Sequence, residues 1–118
     1  MRQAGERRYR LTGVSAYAAL FSTGRRREGE FVQLLFLPAR FPLGRAGYAI
    51  PKKILPLAVD RNRIRRVLRE TVRAARPSVA AYDVVLRLKR GAPRAEACRV
   101  AADAQRLLAG LPDAGVGT

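Results

Sequence analysis

The densest group of side chains that could do chemistry lies between Leu57 and Arg76, in the segment LAVDRNRIRRVLRETVRAAR. On a helix, one side of this segment is an apolar stripe at core-facing spacing, formed by Ile64, Val67, Leu68, Thr71, Val72 and Ala75. The opposite half carries Asn62, Arg63, Arg65, Arg66, Arg69, Arg73 and Arg76, with Arg61 at the border. Each planar guanidinium can bind two phosphate oxygens. A merely solvated face would mix both signs, yet only Asp60 and Glu70 are acidic, so the segment predicts a phosphate-binding helix.

The side chains needed for hydrolysis by the polypeptide itself are missing. The chain has no histidine, which removes the usual general base and the commonest metal ligand. Glu28 and Glu30 lie between three arginines and an apolar segment, where a charge-balanced loop is favoured over a metal site. The single cysteine, Cys98, lies among alanines and is expected in the core. We therefore expect a binding protein with no catalytic residue and no metal site of its own.

The charge balance points to a polyanionic partner. The 118 residues carry 24 Lys and Arg against 9 Asp and Glu, a net charge of +15, and 14 of the basic but only 3 of the acidic residues lie between Arg40 and Arg90. RNA, DNA and an anionic membrane surface are the candidates. The membrane is disfavoured, because the stripe of Ile, Val, Leu, Thr and Ala on the arginine helix is too small for a helix that lies in a bilayer surface.

Length and apolar patterning predict one α+β domain over residues 1–118, with about 1–12 and 111–118 mobile. The predicted order is helix, strands, helix, strand, helix, with the helices packed on a small sheet. The elements are 15–23 (helix), 31–37 and 46–50 (strands), the arginine helix, 82–88 (strand) and 94–109 (helix). The longest apolar run, FVQLLFLP, is far below the roughly 18 residues of a membrane span, and nothing else suggests secretion. We expect a soluble, cytoplasmic protein.

Three stretches carry a resemblance to a known family. They are GYAIPKK, RNRIRRVLRE at residues 61–70, and YDVVLRLKR, and upstream lies a short helix with Tyr17 and Phe21 four residues apart before Gly24. Together they resemble the bacterial ribonuclease P protein component. The resemblance implies a subunit of the ribonucleoprotein endonuclease that removes the 5′ leader from precursor tRNA, in which the RNA subunit performs the hydrolysis and holds the Mg²⁺. It also implies a mixed sheet with a left-handed βαβ crossover around the arginine helix, although topology rules alone favour a right-handed one.

The resemblance further implies a role for each matching residue. Contacts to the catalytic RNA are implied for Arg61, Asn62, Arg63, Arg65, Arg66 and Arg69, and we add Arg73 from the basic face of the same helix. Tyr17 and Phe21 would line a cleft between the first helix and the sheet and stack on leader bases, with simple core packing as the alternative. Lys52 and Lys53 would hold leader phosphates. Leu34 matches one position in the cleft, with Phe36 two residues on, and which of the two faces the leader stays open. We include Phe36 among the candidate leader-binding residues, together with Arg87, where the family is mostly apolar.

The expected partners are ribonuclease P RNA and precursor tRNA, without a membrane and without an obligate protein partner. The main rival is a non-enzymatic RNA-binding protein such as a ribosomal protein, for which a small basic α+β domain is also typical. The aromatic pair separates the two readings, because it predicts a second surface, for single-stranded RNA, apart from the arginine helix.

Overall fold

The computed structural model describes residues 14–39, 44–75, 81–91 and 96–111, with the backbone alone for residues 14–17. The mobility predicted for residues 1–12 and for most of the C-terminal tail lies outside these ranges. The elements, in chain order, are α1 (Val14–Thr23), β1 (Arg25–Glu28), β2 (Val32–Pro38), β3 (Ala46–Ala49), α2 (Ala58–Ala75), β4 (Tyr82–Leu88) and α3 (Ala97–Ala109). None of the described helices combines the length and apolar character needed to cross a bilayer.

The four strands form one mixed sheet in the order β1-β2-β4-β3. β1 and β4 each pair antiparallel with β2, whereas β3 pairs parallel with β4. Because parallel neighbours need a long crossover, α2 connects β3 to β4. The predicted α+β class and mixed sheet are confirmed, and the hand of the crossover stays a prediction.

The main core lies on the sheet face that α2 and α3 cover. Side chains at every second position of β2 and β4 point to this face, as the period of a strand requires. They are Val32, Leu34, Phe36, Tyr82, Val84, Leu86 and Leu88, and they meet Ile64, Leu68 and Val72 of α2 and Val100, Ala104, Leu107 and Leu108 of α3. Burial at the i, i+4, i+8 positions of α2 confirms the apolar stripe expected from the sequence.

The opposite face of the sheet carries α1. Leu20 of α1 packs on Leu35 of β2 and Val85 of β4, and all three side chains are buried in a cluster separate from the main core. The helix ends at Gly24, whose amide donates to the Leu20 carbonyl at 3.0 Å. A Cβ at this position would lie 2.4 Å from that oxygen, so only glycine fits the close approach. The sheet is therefore the middle layer of three.

A buried carboxylate ties α3 to the loop between β1 and β2. Asp103 accepts the backbone amides of Glu30, Phe31 and Val32 at 3.1, 2.9 and 3.0 Å, and Arg106 also donates to it. Burial, the largest single effect, would raise the pKa of the Asp103 carboxyl, but these hydrogen bonds together hold it below its ordinary value. A Cβ at Gly29 would lie 2.4 Å from the carboxylate, so the loop needs glycine to receive Asp103.

Two local expectations are wrong. Glu28, which the sequence placed in a loop with Glu30, is the last residue of an edge strand, Arg25–Glu28, that pairs with Gln33–Phe36. Cys98, expected in the core, is exposed on α3, because the buried positions of that helix are Val100, Asp103, Ala104, Leu107 and Leu108.

Candidate RNA interface

The exposed stripe of α2 is basic along its whole length. Asn62, Arg66, Arg69 and Arg73 follow one another at i, i+4, i+7 and i+11, opposite the buried stripe, and all four are exposed. Arg61, Arg63 and Arg65 flank this stripe and are half-buried. The buried side anchors the helix to the core, and the guanidinium groups form a row on its exposed side. Such a row favours binding to a rigid phosphate array.

The arginines of α2 differ in what they already bind. Arg61 donates from Nη1 to the carbonyls of Leu55 and Pro56 at 2.9 and 2.7 Å, so it holds the loop that leads into the helix. Arg65 donates to Asn62 Oδ1 at 2.8 Å, and Arg73 pairs with Glu70 at 2.8 Å. Three arginines of α2 have no side-chain partner in the described part of the chain: Arg63, Arg66 and Arg69.

Arg66 and Arg69 are the best placed of the seven predicted RNA-binding residues. Both are exposed and have no side-chain partner among the described residues, so both guanidinium groups are accessible to a ligand. Arg61, by contrast, already has a structural role at the start of the helix. The sequence indicated the row of arginines but could not separate these roles, because the loop carbonyls that occupy Arg61 are set by tertiary structure.

A second candidate surface lies on the other side of the sheet, beside α1. Phe21 is half-buried and packs against the cluster of Leu20, Leu35 and Val85. The exposed guanidinium of Arg87 lies 5.9 Å from the centre of the Phe21 ring, within the range of a cation–π contact. Arg87 projects from the inner strand β4 on the face that α1 only partly covers. An aromatic ring and an exposed arginine therefore lie side by side where α1 meets the sheet, and we call this surface the groove beside α1.

Two further side chains line this groove and were not predicted. Gln33 lies opposite Arg87 in the β2–β4 register and donates to Glu28 at 2.6 Å. Arg26 lies on the same face and donates from Nη2 to the Phe21 carbonyl at 2.7 Å. Both depend on the strand register of β1 and β2, so no local sequence pattern could have identified them.

Tyr17 lies in α1 one turn before Phe21, but its side chain is outside the described residues. Lys52 and Lys53 are exposed in the turn after β3, a few residues beyond Ala49, which pairs with Arg87. The leader-binding roles of Tyr17, Lys52 and Lys53 stay predictions.

The assignment of Phe36 to the cleft is wrong. Its side chain is 5% exposed in the main core and makes an edge-to-face contact with Tyr82, with ring centroids 5.6 Å apart. Leu34, the other candidate, is buried on the same face. Because side chains alternate along a strand, Gln33, Leu35 and Leu37 point to the α1 side instead.

The carboxylates of the described residues do not gather into a metal site. Glu28 pairs with Lys89 at 2.8 Å, and Glu30 lies 3.7 Å from Arg90 and 3.5 Å from Arg99. The hydrogen bond from Lys89, followed by that from Gln33, lowers the pKa of Glu28. No group of three His, Cys, Asp or Glu side chains that could hold an ion occurs within residues 14–39, 44–75, 81–91 and 96–111.

Comparison with known proteins agrees with this architecture. The family model described as ribonuclease P matches residues 6–111. The ribonuclease P protein component of Aromatoleum aromaticum is 36% identical over 80 residues, 68% of this chain and 67% of the relative. That of Thioalkalivibrio sulfidiphilus is 34% identical over 109 residues, 92% of this chain and 91% of the relative. A structure of a Staphylococcus aureus RNase P protein mutant with defective mRNA degradation activity superposes with a TM-score of 0.83 at 19% identity, over 92% of each chain.

Proposed function

The chain belongs to the ribonuclease P protein family, and we propose that it is the protein subunit of ribonuclease P, the endonuclease that removes the 5′ leader from precursor tRNA. Its direct partners are the ribonuclease P RNA and the precursor tRNA. The RNA subunit supplies the Mg²⁺-dependent hydrolysis, and the protein binds and orients the two RNAs. We assign it to the cytoplasm, where tRNA is processed in bacteria.

The observation that carries this proposal is the separation of two different surfaces by the sheet. The exposed arginines of α2 lie on the layer that covers one face, and the Phe21 and Arg87 groove lies on the other. A row of guanidinium groups suits the phosphates of a folded RNA, whereas an aromatic ring beside an arginine suits the bases and phosphates of a single strand. A protein that must hold a folded RNA and a single-stranded leader together needs both kinds of surface.

The groove is proposed to bind the leader through Tyr17, Phe21 and Arg87, with Lys52 and Lys53 beyond the end of β3. Stacking on Phe21 accepts any base, since every base has a π face, and contributes about 1–3 kcal/mol per base. The Arg87 guanidinium lies 5.9 Å from the centre of the ring. A base that stacks there shares the ring with Arg87 or displaces it, which frees its guanidinium for a leader phosphate.

The test is reconstitution with a cognate ribonuclease P RNA. At a Mg²⁺ concentration where the RNA alone is slow, added protein is expected to accelerate removal of the leader and to bind precursor tRNA more tightly than mature tRNA within the complex. A protein that binds both RNAs but changes neither the cleavage rate nor the preference for precursor would contradict the proposal and favour a general RNA-binding role.

A further inference from the structure

We propose that the edge strand β1 is a second attachment site for the ribonuclease P RNA, through the phosphate-binding side chains of Arg25 and Arg27. The inference rests on the proposed function, but it concerns a surface that is separate from both α2 and the groove beside α1.

The three consecutive arginines of β1 are all exposed, yet they point in two directions. Arg25 and Arg27 lie opposite Phe36 and Leu34 in the β1–β2 register, so they share the face that α2 and α3 cover. Arg26 points to the other face, where it donates to the Phe21 carbonyl. Arg25 and Arg27 therefore belong to the same layer of the molecule as the arginine helix.

The arginines of β1 have no acidic partner among the described residues, whereas the basic residues around the strand do. The basic residues nearby are each paired: Lys89 with Glu28, Arg90 with Glu30, Arg99 with Glu30 and Glu96, and Arg106 with Asp103. Arg25 and Arg27 have no hydrogen bond or ion pair with any described residue. The carboxylates of this region are paired with other basic side chains, so the positive charge of Arg25 and Arg27 stays in excess on one edge strand.

Arg27 also lies beside the C-terminal end of α3. A Cβ at Gly110 would lie 3.0 Å from Arg27 Nη1, so the guanidinium rests against the C-terminal end of α3. The partial negative charge of a helix C-terminus favours a cation there. Side chains two residues apart on a strand are about 6.6 Å apart along it, and the two forks can therefore bind neighbouring phosphates of one strand.

RNA is the occupant that this strand suits best. A second copy of the chain would have to bring three arginines against three arginines, which like-charge repulsion opposes. A membrane surface would require large apolar side chains beside the basic ones. The described residues with such exposed side chains are Leu57 and Val59, and both lie at the start of α2 rather than near β1.

Two separated contacts with one folded RNA fix its orientation, which a single helix cannot do. α3 packs between α2 and β2 on this layer, so β1 and α2 are held apart by a rigid element. A rigid RNA that spans this distance binds the second site intramolecularly once the first is engaged. The leader, by contrast, would lie on the opposite face of the sheet.

The experiment compares paired substitutions that each remove two positive charges. The test variant is Arg25→Gln with Arg27→Gln. The matched control is Arg90→Gln with Arg99→Gln, because these two arginines are paired with glutamates. A third variant, Arg66→Gln with Arg69→Gln, reports on α2. Binding to the ribonuclease P RNA is measured between about 50 and 200 mM salt, together with the preference for precursor over mature tRNA and the melting temperature of each variant.

The test variant is expected to flatten the log-log salt slope by about 1.5 units, so that the loss of affinity across this salt range becomes about tenfold smaller. The precursor preference and the melting temperature should stay unchanged, and the control pair should alter the slope much less. An unchanged slope, a control with an equal effect, or a loss confined to the precursor preference would each overturn the inference. If the wild-type protein fails to bind the RNA, the proposed function itself fails.

Discussion

Phe21 packs on a buried cluster and also borders the groove beside α1, so one side chain contributes to stability and is available for RNA binding. Phe21→Ala is expected to weaken binding of precursor tRNA by about 1–3 kcal/mol, because one stacking surface is lost, while binding of mature tRNA is nearly unchanged. Affinity for both RNAs and the free energy of unfolding should be measured on the same preparation.

Leu20→Ala is the matched control for Phe21. Leu20 is the neighbouring residue, is 2% exposed and anchors α1 to the sheet. Its truncation should lower the free energy of unfolding by about 2–5 kcal/mol and weaken all RNA partners together. If Phe21→Ala behaves in the same way, Phe21 is a core residue and does not stack on the leader.

Asp103 gives the fold a dependence on acid. Because its folded pKa lies below the ordinary value, the carboxylate stabilises the folded state above about pH 4, and this stabilisation is lost as the pH falls through the folded pKa. Asp103→Asn should lower stability at neutral pH by about 1–3 kcal/mol, since buried amides lose an acceptor, and should flatten the loss on acidification.

Urea unfolding at neutral pH and near pH 3 measures both effects of Asp103. Glu70→Gln is the control, because Glu70 is exposed and its partner among the described residues is Arg73 on the helix surface. A variant Asp103→Asn that kept the acid dependence of the wild type would show that the dependence arises at other carboxylates.

At the scale of the elements, α2 should bind RNA mainly through phosphates. Arg66→Gln with Arg69→Gln removes two exposed guanidinium groups that have no partner among the described residues. The log-log salt slope for ribonuclease P RNA is therefore expected to flatten by about 2 units without a change in the circular dichroism spectrum.

Arg61→Gln supplies the contrast within the same helix. It breaks two hydrogen bonds to the loop before α2, so its main effect should be on stability rather than on the slope. A slope that responds to Arg61→Gln but not to the Arg66 and Arg69 pair would place the RNA at the start of the helix instead.

The sequence predicted the elements whose apolar residues repeat with a clear period. α2 was predicted because Ile64, Leu68 and Val72 recur at helical spacing, and β4 because its side chains alternate from Tyr82 to Leu88. β1 was missed because RRRE contains no apolar residue to indicate a strand, and its pairing with β2 is a tertiary event. The face predicted for Phe36 was wrong because VQLLFLP is apolar on both sides of the strand. The sequence alone therefore does not show which of its side chains point to which face of the sheet.

At the scale of the whole molecule, the protein without the RNA subunit should not cleave precursor tRNA at the mature 5′ boundary. The chain has no histidine, and the carboxylates of Glu28, Glu30 and Asp103 form ion pairs with lysine and arginine side chains. Rigorously RNA-free protein incubated with Mg²⁺ and labelled precursor should leave it intact. Cleavage of the precursor at the mature boundary would contradict the division of labour between RNA and protein.

The strand order has a consequence for synthesis on the ribosome. β4 separates β2 from β3, so the apolar strand Val32–Pro38 gains its inner neighbour only when Tyr82–Leu88 has been made. At about 5–20 residues per second, the nascent chain spends several seconds with this strand paired only to β1. The arginines of β1 then act as a charged flank that discourages pairing with other unfinished chains.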